Sequence, residues 1–275
     1  MSDDAPVQLW LCRNEDLPEV HAVDLARCWL DPAEQERARR FVFPADRRQY
    51  LVAHALVRRV LAGHTGVPES RLRFWRSRRG RPFLSPPPEG WPRGDTGLDF
   101  NLSHARGVNV VGTAVNRRIG VDVERLDRDD AESWMRVAES FTAEERRWID
   151  GLVPSERARG VLRLWTLKEA YAKARGLGLS LPFDSFAFVL DGGRRVRRFR
   201  PSRDDAVGRW QFLQLEPMAS TIVAVAVEAA AGDAVTAHLR YGFPWMSQPP
   251  VVLDLPPTPG PPDTTPADRE GVIVR

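Results

Sequence analysis

Alternation and helical periodicity along the chain predict an α+β protein. Val7 to Leu11 reads as a first strand. Asp31-Pro32 opens a helix, an N-cap acid followed by proline at the first helical position. That helix carries Glu34, Glu36, Arg37, Arg39 and Arg40 and ends before Pro44. An apolar stripe through Ala53, Leu56, Val57, Val60 and Leu61 predicts a second helix from about Asp46 to Ala62, with Gly63 as its stop. Leu72 to Trp75 reads as a short strand, and Pro82 to Gly97 as a loop dense in proline and glycine. Leu98 to Asn101 comes next, then a strand from Val108 to Val115. Asn116-Arg117-Arg118 turns the chain into a strand from Ile119 to Glu124, a pattern that predicts a β-hairpin with an acidic pair on its second arm.

Thr142-Ala143-Glu144-Glu145 has the spacing of a capping box and opens a further helix, and Gly160 to Arg175 forms the next. Phe186 to Leu190, Trp210 to Leu215 and Thr221 to Val227 follow as strands. Two halves, 1–115 and 116–245, thus each read as helices packed on a small antiparallel sheet. The helices from Asp46 and from Gly160 are a hint of internal repetition. From 246 to 275 the chain is rich in proline, with too little apolar surface for a packed element, which predicts a disordered tail.

Bulk properties narrow the class. At 275 residues and 43% hydrophobic, the chain suits one large or two smaller globular units. The longest apolar stretch, Ile222 to Val227, is far too short to span a bilayer. Cys12 and Cys28 are the only cysteines and suit free thiols. The acidic start lacks a signal-peptide core, so a cytoplasmic protein is expected. Net charge is only +3, but the basic residues are unevenly placed.

The candidate chemistry lies in two stretches. On the strand Gly120-Val121-Asp122-Val123-Glu124, both carboxylates project to one side. On the helix, Trp165, Glu169 and Lys173 fall at i, i+4 and i+8 and share a stripe. Strand face against helix stripe would surround a Mg²⁺ site with Asp122, Glu124 and Glu169, an ammonium beside it. Singly, such groups are ordinary surface acids and helix ion pairs; together, adjacent carboxylates repel unless a cation or proton lies between them. Asn101-Leu102-Ser103-His104 is either a polar turn or a phosphate clasp of hydroxyl and imidazole. The arginines between 71 and 81 are either a solvated face or a phosphate-binding surface. His21, His54, His64 and His238 show no metal-ligand spacing.

Together these segments resemble the 4′-phosphopantetheinyl transferases of the Sfp type. The resemblance runs from about Pro32 to Ala226. It rests on Gly-Arg-Pro at 80–82, Phe-Asn-Leu-Ser-His at 100–104 and Ile-Gly-Val-Asp-Val-Glu at 119–124. It also rests on Phe-Thr-x-x-Glu at 141–145, Trp-Thr-Leu-Lys-Glu-Ala-Tyr-Ala-Lys at 165–173 and Gly-Leu-Ser-Leu-Pro-Phe-Asp-Ser-Phe at 178–186.

The resemblance implies two similar halves in a pseudo-twofold arrangement, with coenzyme A in the cleft between them. It implies Mg²⁺-dependent transfer of phosphopantetheine to a serine of an acyl or peptidyl carrier protein, with release of 3′,5′-ADP. Asp122, Glu124 and Glu169 would hold Mg²⁺, and Asp122, Glu169 and Lys173 would carry the catalysis. Arg37, Arg48, Arg81, Ser103, His104, Lys168 and Lys173 would bind the coenzyme, with Glu145 in support. Arg81 stands where the family has a lysine, which keeps the charge and changes the geometry of the grip. A monomer without nucleic-acid or membrane partners is expected. A Mg²⁺-dependent nuclease and a non-catalytic nucleic-acid-binding module are the alternatives.

Overall fold

The structure, a computed structural model, describes residues 6–85, 97–125, 131–191, 195–218, 221–229, 233–245, 249–256 and 258, with the side chains of 131 and 132 excepted. Most of the predicted proline-rich loop and the end of the predicted disordered tail lie outside the described residues.

Two sheets stack face to face, with helices on both outer surfaces. The first has five strands in the order β12 (Val251–Leu255), β11 (Val235–Tyr241), β1 (Val7–Arg13), β5 (Val108–Val115) and β4 (Leu98–Ala105). The second has three, in the order β6 (Ile119–Arg125), β10 (Thr221–Glu228) and β9 (Trp210–Met218). β2 (Phe74–Arg76) pairs with β3 (Pro82–Leu84), and β7 (Ala187–Leu190) with β8 (Val196–Arg200). α1 (Glu19–Trp29), α2 (Pro32–Arg39) and α3 (Pro44–Thr65) cover the first sheet. α4 (Ala131–Ala138), α5 (Ala143–Asp150) and α6 (Pro154–Arg175) cover the second.

Strand alternation divides the core into layers. Leu9 and Leu11 of β1 face Val223 and Val225 of β10 between the sheets, while Trp10 and Cys12 turn to the first helical layer. Ile222, Ala224 and Ala226 turn instead to α6. β10 is buried on both faces, which is why it reads as one continuous apolar run. Gly112 makes the stacking tight, because a Cβ there would lie 2.6 Å from Val121 Cγ1.

Several expectations are corrected. The hairpin is β4–β5, closed at Gly107 with φ 76°, and β6 leaves for the second sheet. β4 nonetheless reaches β6 through side chains: Asp99 Oδ2 accepts the Ile119 amide and Asn101 Oδ1 the Val121 amide, both at 2.9 Å. The first sheet is not purely antiparallel, because β1 and β11 run parallel. β11 therefore joins the amino-terminal sheet, although it falls within the segment assigned to the second half. The expected disordered tail contributes β12, whose Leu255 is buried in the inter-sheet core. α3 runs past Gly63 and ends at Gly66 in the left-handed conformation, with φ 73°. Pro82–Leu84, expected in a loop, is a strand. Cys12 and Cys28 are unpaired. Among the described residues, no helix is long and apolar enough to cross a membrane.

Candidate active site

The strand face and the helix stripe meet. α6 can lie against β6 only because position 120 is glycine: a Cβ there would sit 2.0 Å from the Ala170 carbonyl oxygen. Val121 and Val123 enter the inter-sheet core, which turns Asp122 and Glu124 toward α6. Asp122 is buried, and its Oδ1 accepts from Lys173 Nζ at 2.6 Å and Ser103 Oγ at 2.9 Å. Lys173 Nζ also donates to Ser103 Oγ at 3.0 Å. One ammonium, one hydroxyl and one carboxylate from α6, β4 and β6 thus close a three-membered junction.

Two features of this junction concern its carboxylates. Asp122 Oδ2 is buried without a hydrogen-bond partner. Glu169, one helical turn before Lys173, is also buried. Its pKa is raised by desolvation, opposed by Lys173 and reinforced by the Asp122 charge. Glu124 is drawn aside, and its Oε1 accepts from Trp165 Nε1 at 3.3 Å. The three carboxylates therefore do not close on one point. Among the described residues, no group of three or more His, Cys, Asp or Glu side chains is arranged as a metal cluster.

His104 is exposed on β4 beside the junction. Partial desolvation and the Lys173 charge lower its pKa, with a smaller contribution from His54. A cavity of about 1010 Å³ opens between α2, α3 and β2–β4, lined by Arg37, Arg76, Tyr50, His54, Asn101 and Leu102 among others. Arg37, one of the expected coenzyme ligands, is thus a cavity-lining residue. His54 had no expected role, yet it lines the cavity with Nδ1 2.9 Å from Glu34 Oε1 and its ring stacked on Tyr50. A histidine one turn after a tyrosine on a helix gave no signal of this in sequence.

Three expected coenzyme ligands have partners within the protein. Arg81 is buried, with Nη2 donating to Asp99 Oδ2 at 2.7 Å and to the Ile119 carbonyl at 2.9 Å, and Nη1 to the Lys173 carbonyl. Its charge is used inside the protein. Lys168 is fully buried, 2.8 Å from Glu145 Oε2, and donates to the carbonyls of Phe183 and Phe186. Glu145 also caps α5 through Thr142 and accepts the Phe188 amide, so this pair braces the second helical layer. Arg48 lines a different cleft, with Arg13 and Arg125, and donates to the Asn14 carbonyl. Nor are the arginines from 71 to 81 one free stripe. Arg73 and Arg76 bond neighbouring carbonyls, and Trp75 stacks on Phe83 at 4.5 Å.

A family model described as the 4′-phosphopantetheinyl transferase superfamily matches residues 118–226, and one for the transferase N-terminal region matches 17–116. The 4′-phosphopantetheinyl transferase HetI of Nostoc sp. is 32% identical over 213 residues, covering 77% of this chain and 84% of that one. The transferase Sfp of Bacillus subtilis is 29% identical over 162 residues, covering 59% and 67% respectively. Among solved structures, a holo-(acyl-carrier-protein) synthase from Bacillus anthracis in complex with CoA matches with TM-score 0.33 and 23% identity. That match covers 41% of this chain and 96% of the other. With both halves matched and that identity to HetI, the chain belongs to the 4′-phosphopantetheinyl transferase superfamily and is of the Sfp type.

Proposed function

We propose that this protein transfers the 4′-phosphopantetheine arm of coenzyme A to a serine of an acyl or peptidyl carrier protein and releases 3′,5′-ADP. The observation that carries the reading is the Lys173–Ser103–Asp122 junction beside a desolvated Glu169, in a chain of this superfamily. Arg37 in the large cavity, and His104 beside Lys173, would supply cationic and hydrogen-bonding groups for the nucleotide end of the coenzyme.

The unpartnered Asp122 Oδ2 and the Glu169 carboxyl fit a hard divalent cation and would hold Mg²⁺, with Glu124 as a third ligand only once it leaves Trp165 Nε1. Bound there, the ion would polarise the phosphoryl oxygens and spread developing charge. Glu169 would accept the proton of the carrier serine, directly or through a water it orients. Lys173 presents its ammonium to the departing phosphate, with Ser103 fixing the direction of the Nζ. Positioning of two bound partners supplies the remainder, and no covalent enzyme intermediate is needed.

The pseudo-twofold relation between the halves belongs to this proposal. It is supported by α3 and α6, each of 22 residues, with proline at the start and a left-handed glycine at the end. A cytoplasmic monomer is proposed on the same footing.

The test is direct. An apo carrier protein, coenzyme A and MgCl₂ are incubated with the protein, and the carrier is weighed by mass spectrometry. A phosphopantetheine adduct is expected with the wild type and none with D122N or E169Q. Absence of adduct on several unrelated carriers would refute the proposal.

A further inference from the structure

Arg81 and Asp99 lie at the point where β4, β6 and the last turn of α6 converge, and the reaction as described uses neither. Arg81 Nη2 is 2.7 Å from Asp99 Oδ2, 2.9 Å from the Ile119 carbonyl and 3.3 Å from the Phe100 carbonyl. Nη1 donates to the carbonyl of Lys173. Asp99 Oδ2 in turn accepts the Ile119 amide at 2.9 Å.

Each element tied in this way carries an active side chain. β4 holds Ser103 and His104, β6 holds Asp122 and Glu124, and α6 holds Glu169 and Lys173. The guanidinium is bonded to the backbone of Lys173 itself, at the negative end of the α6 dipole, where a cation is favoured. A lysine would bring its donors from a single nitrogen, whereas the planar fork spans separate acceptors in fixed directions. The Arg81 side chain is only 4% exposed, and its pair with Asp99 would have to open before a phosphate could take its place.

We propose that the Arg81–Asp99 pair is a positioning device: it locks the last turn of α6 to β4 and β6 so that Lys173, Ser103 and Asp122 meet, and it does not grip coenzyme phosphate. This rests on phosphopantetheine transfer being the reaction.

The experiment compares wild type, R81K, D99N and the double variant. It measures transfer kinetics to a carrier protein and, by calorimetry, the Kd for coenzyme A. Displacement of the junction predicts a fall in kcat of about ten- to a hundredfold in each single variant, with KM and Kd for coenzyme A within about threefold of wild type. Because both residues act through one contact, the double variant should be hardly worse than the poorer single one. D99N is nearly isosteric and decides the matter if R81K does not fold. A rise of about tenfold or more in Kd for R81K with kcat retained would make Arg81 a phosphate ligand and overturn the proposal. Wild-type kcat in D99N would overturn it equally. Failure of the wild type itself to modify carriers would instead strike the transfer reading on which both rest.

Discussion

Gly120→Ala offers a stringent test of how the site is built. The added Cβ would lie 2.0 Å from the Ala170 oxygen, 2.5 Å from the Ala174 nitrogen and 3.0 Å from Ala174 Cα. All three atoms are backbone, so no side-chain rotation can relieve the clash. Restoring even a tight contact of about 3 Å to that oxygen moves α6 off β6 by about 1 Å. Overpacking of this kind costs about 1–3 kcal/mol, or a melting temperature lowered by roughly 2–4 °C per kcal/mol. The same shift separates Lys173 and Glu169 from Asp122, and a misplacement near 1 Å costs about a hundredfold in rate. Differential scanning calorimetry and the carrier-modification assay would read both quantities. The control is Gly63→Ala inside α3, where nothing lies within 4 Å. It should be neutral or stabilising by about 0.4–1 kcal/mol, with turnover retained. If Gly120→Ala melted like the wild type and kept most of its turnover, the argument that this glycine sets the distance between strand and helix would be wrong.

Other perturbations have defined outcomes. Burial raises the Glu34 pKa, but the hydrogen bond with His54 and the Arg58 charge outweigh it, and the carboxyl falls from 4.5 to about 2. The folded state thus gains about 3 kcal/mol above pH 4.5, lost as pH falls toward 2. Urea titrations should show a steep acid-side loss in the wild type and a flatter one in E34Q, and parallel curves would contradict the assignment. E169Q removes a desolvated charge, so it should melt higher by about 1 kcal/mol while losing turnover. MgCl₂ with coenzyme A should raise the melting temperature of the wild type by more than that of E169Q, which keeps Arg37 and His104 for the nucleotide. K168M leaves Glu145 buried without its partner and should cost about 3–5 kcal/mol. KM for coenzyme A, measured below the melting range, should be unaltered, and a large rise would return Lys168 to the binding site.

Local chemistry carried much of this architecture into the sequence. The Asp31 cap and the Thr142–Glu145 box are short-range devices, and both elements begin where their residues require. The acidic strand and the Trp165–Glu169–Lys173 stripe were legible because periods of two and of nearly four fix which side chains share a face. Hairpin pairing was misread because Asn116 gives a turn signal, with φ 55°, yet the chain turns there between sheets. Asp99, Asn101 and Ser103 look like a polar loop until β6 is present to receive them. The fates of Arg81 and Lys168 depend on burial by residues distant in sequence, and charge alone gave no hint of it. Val251–Leu255 was hidden by its proline-rich surroundings, although its β-branched run suits a strand.

The parallel pairing of Val7 with Ala237 and of Leu11 with Tyr241 bears on the order of synthesis. As the polypeptide leaves the ribosome, β1 can find β5 early, but its other flank stays bare until β11 has emerged. A nascent intermediate therefore exposes an unsatisfied backbone edge beside Leu9 and Leu11 until that strand arrives, a natural handle for chaperones. Completion of the amino-terminal sheet thus waits on β11 and β12, which are made after every strand of the second sheet.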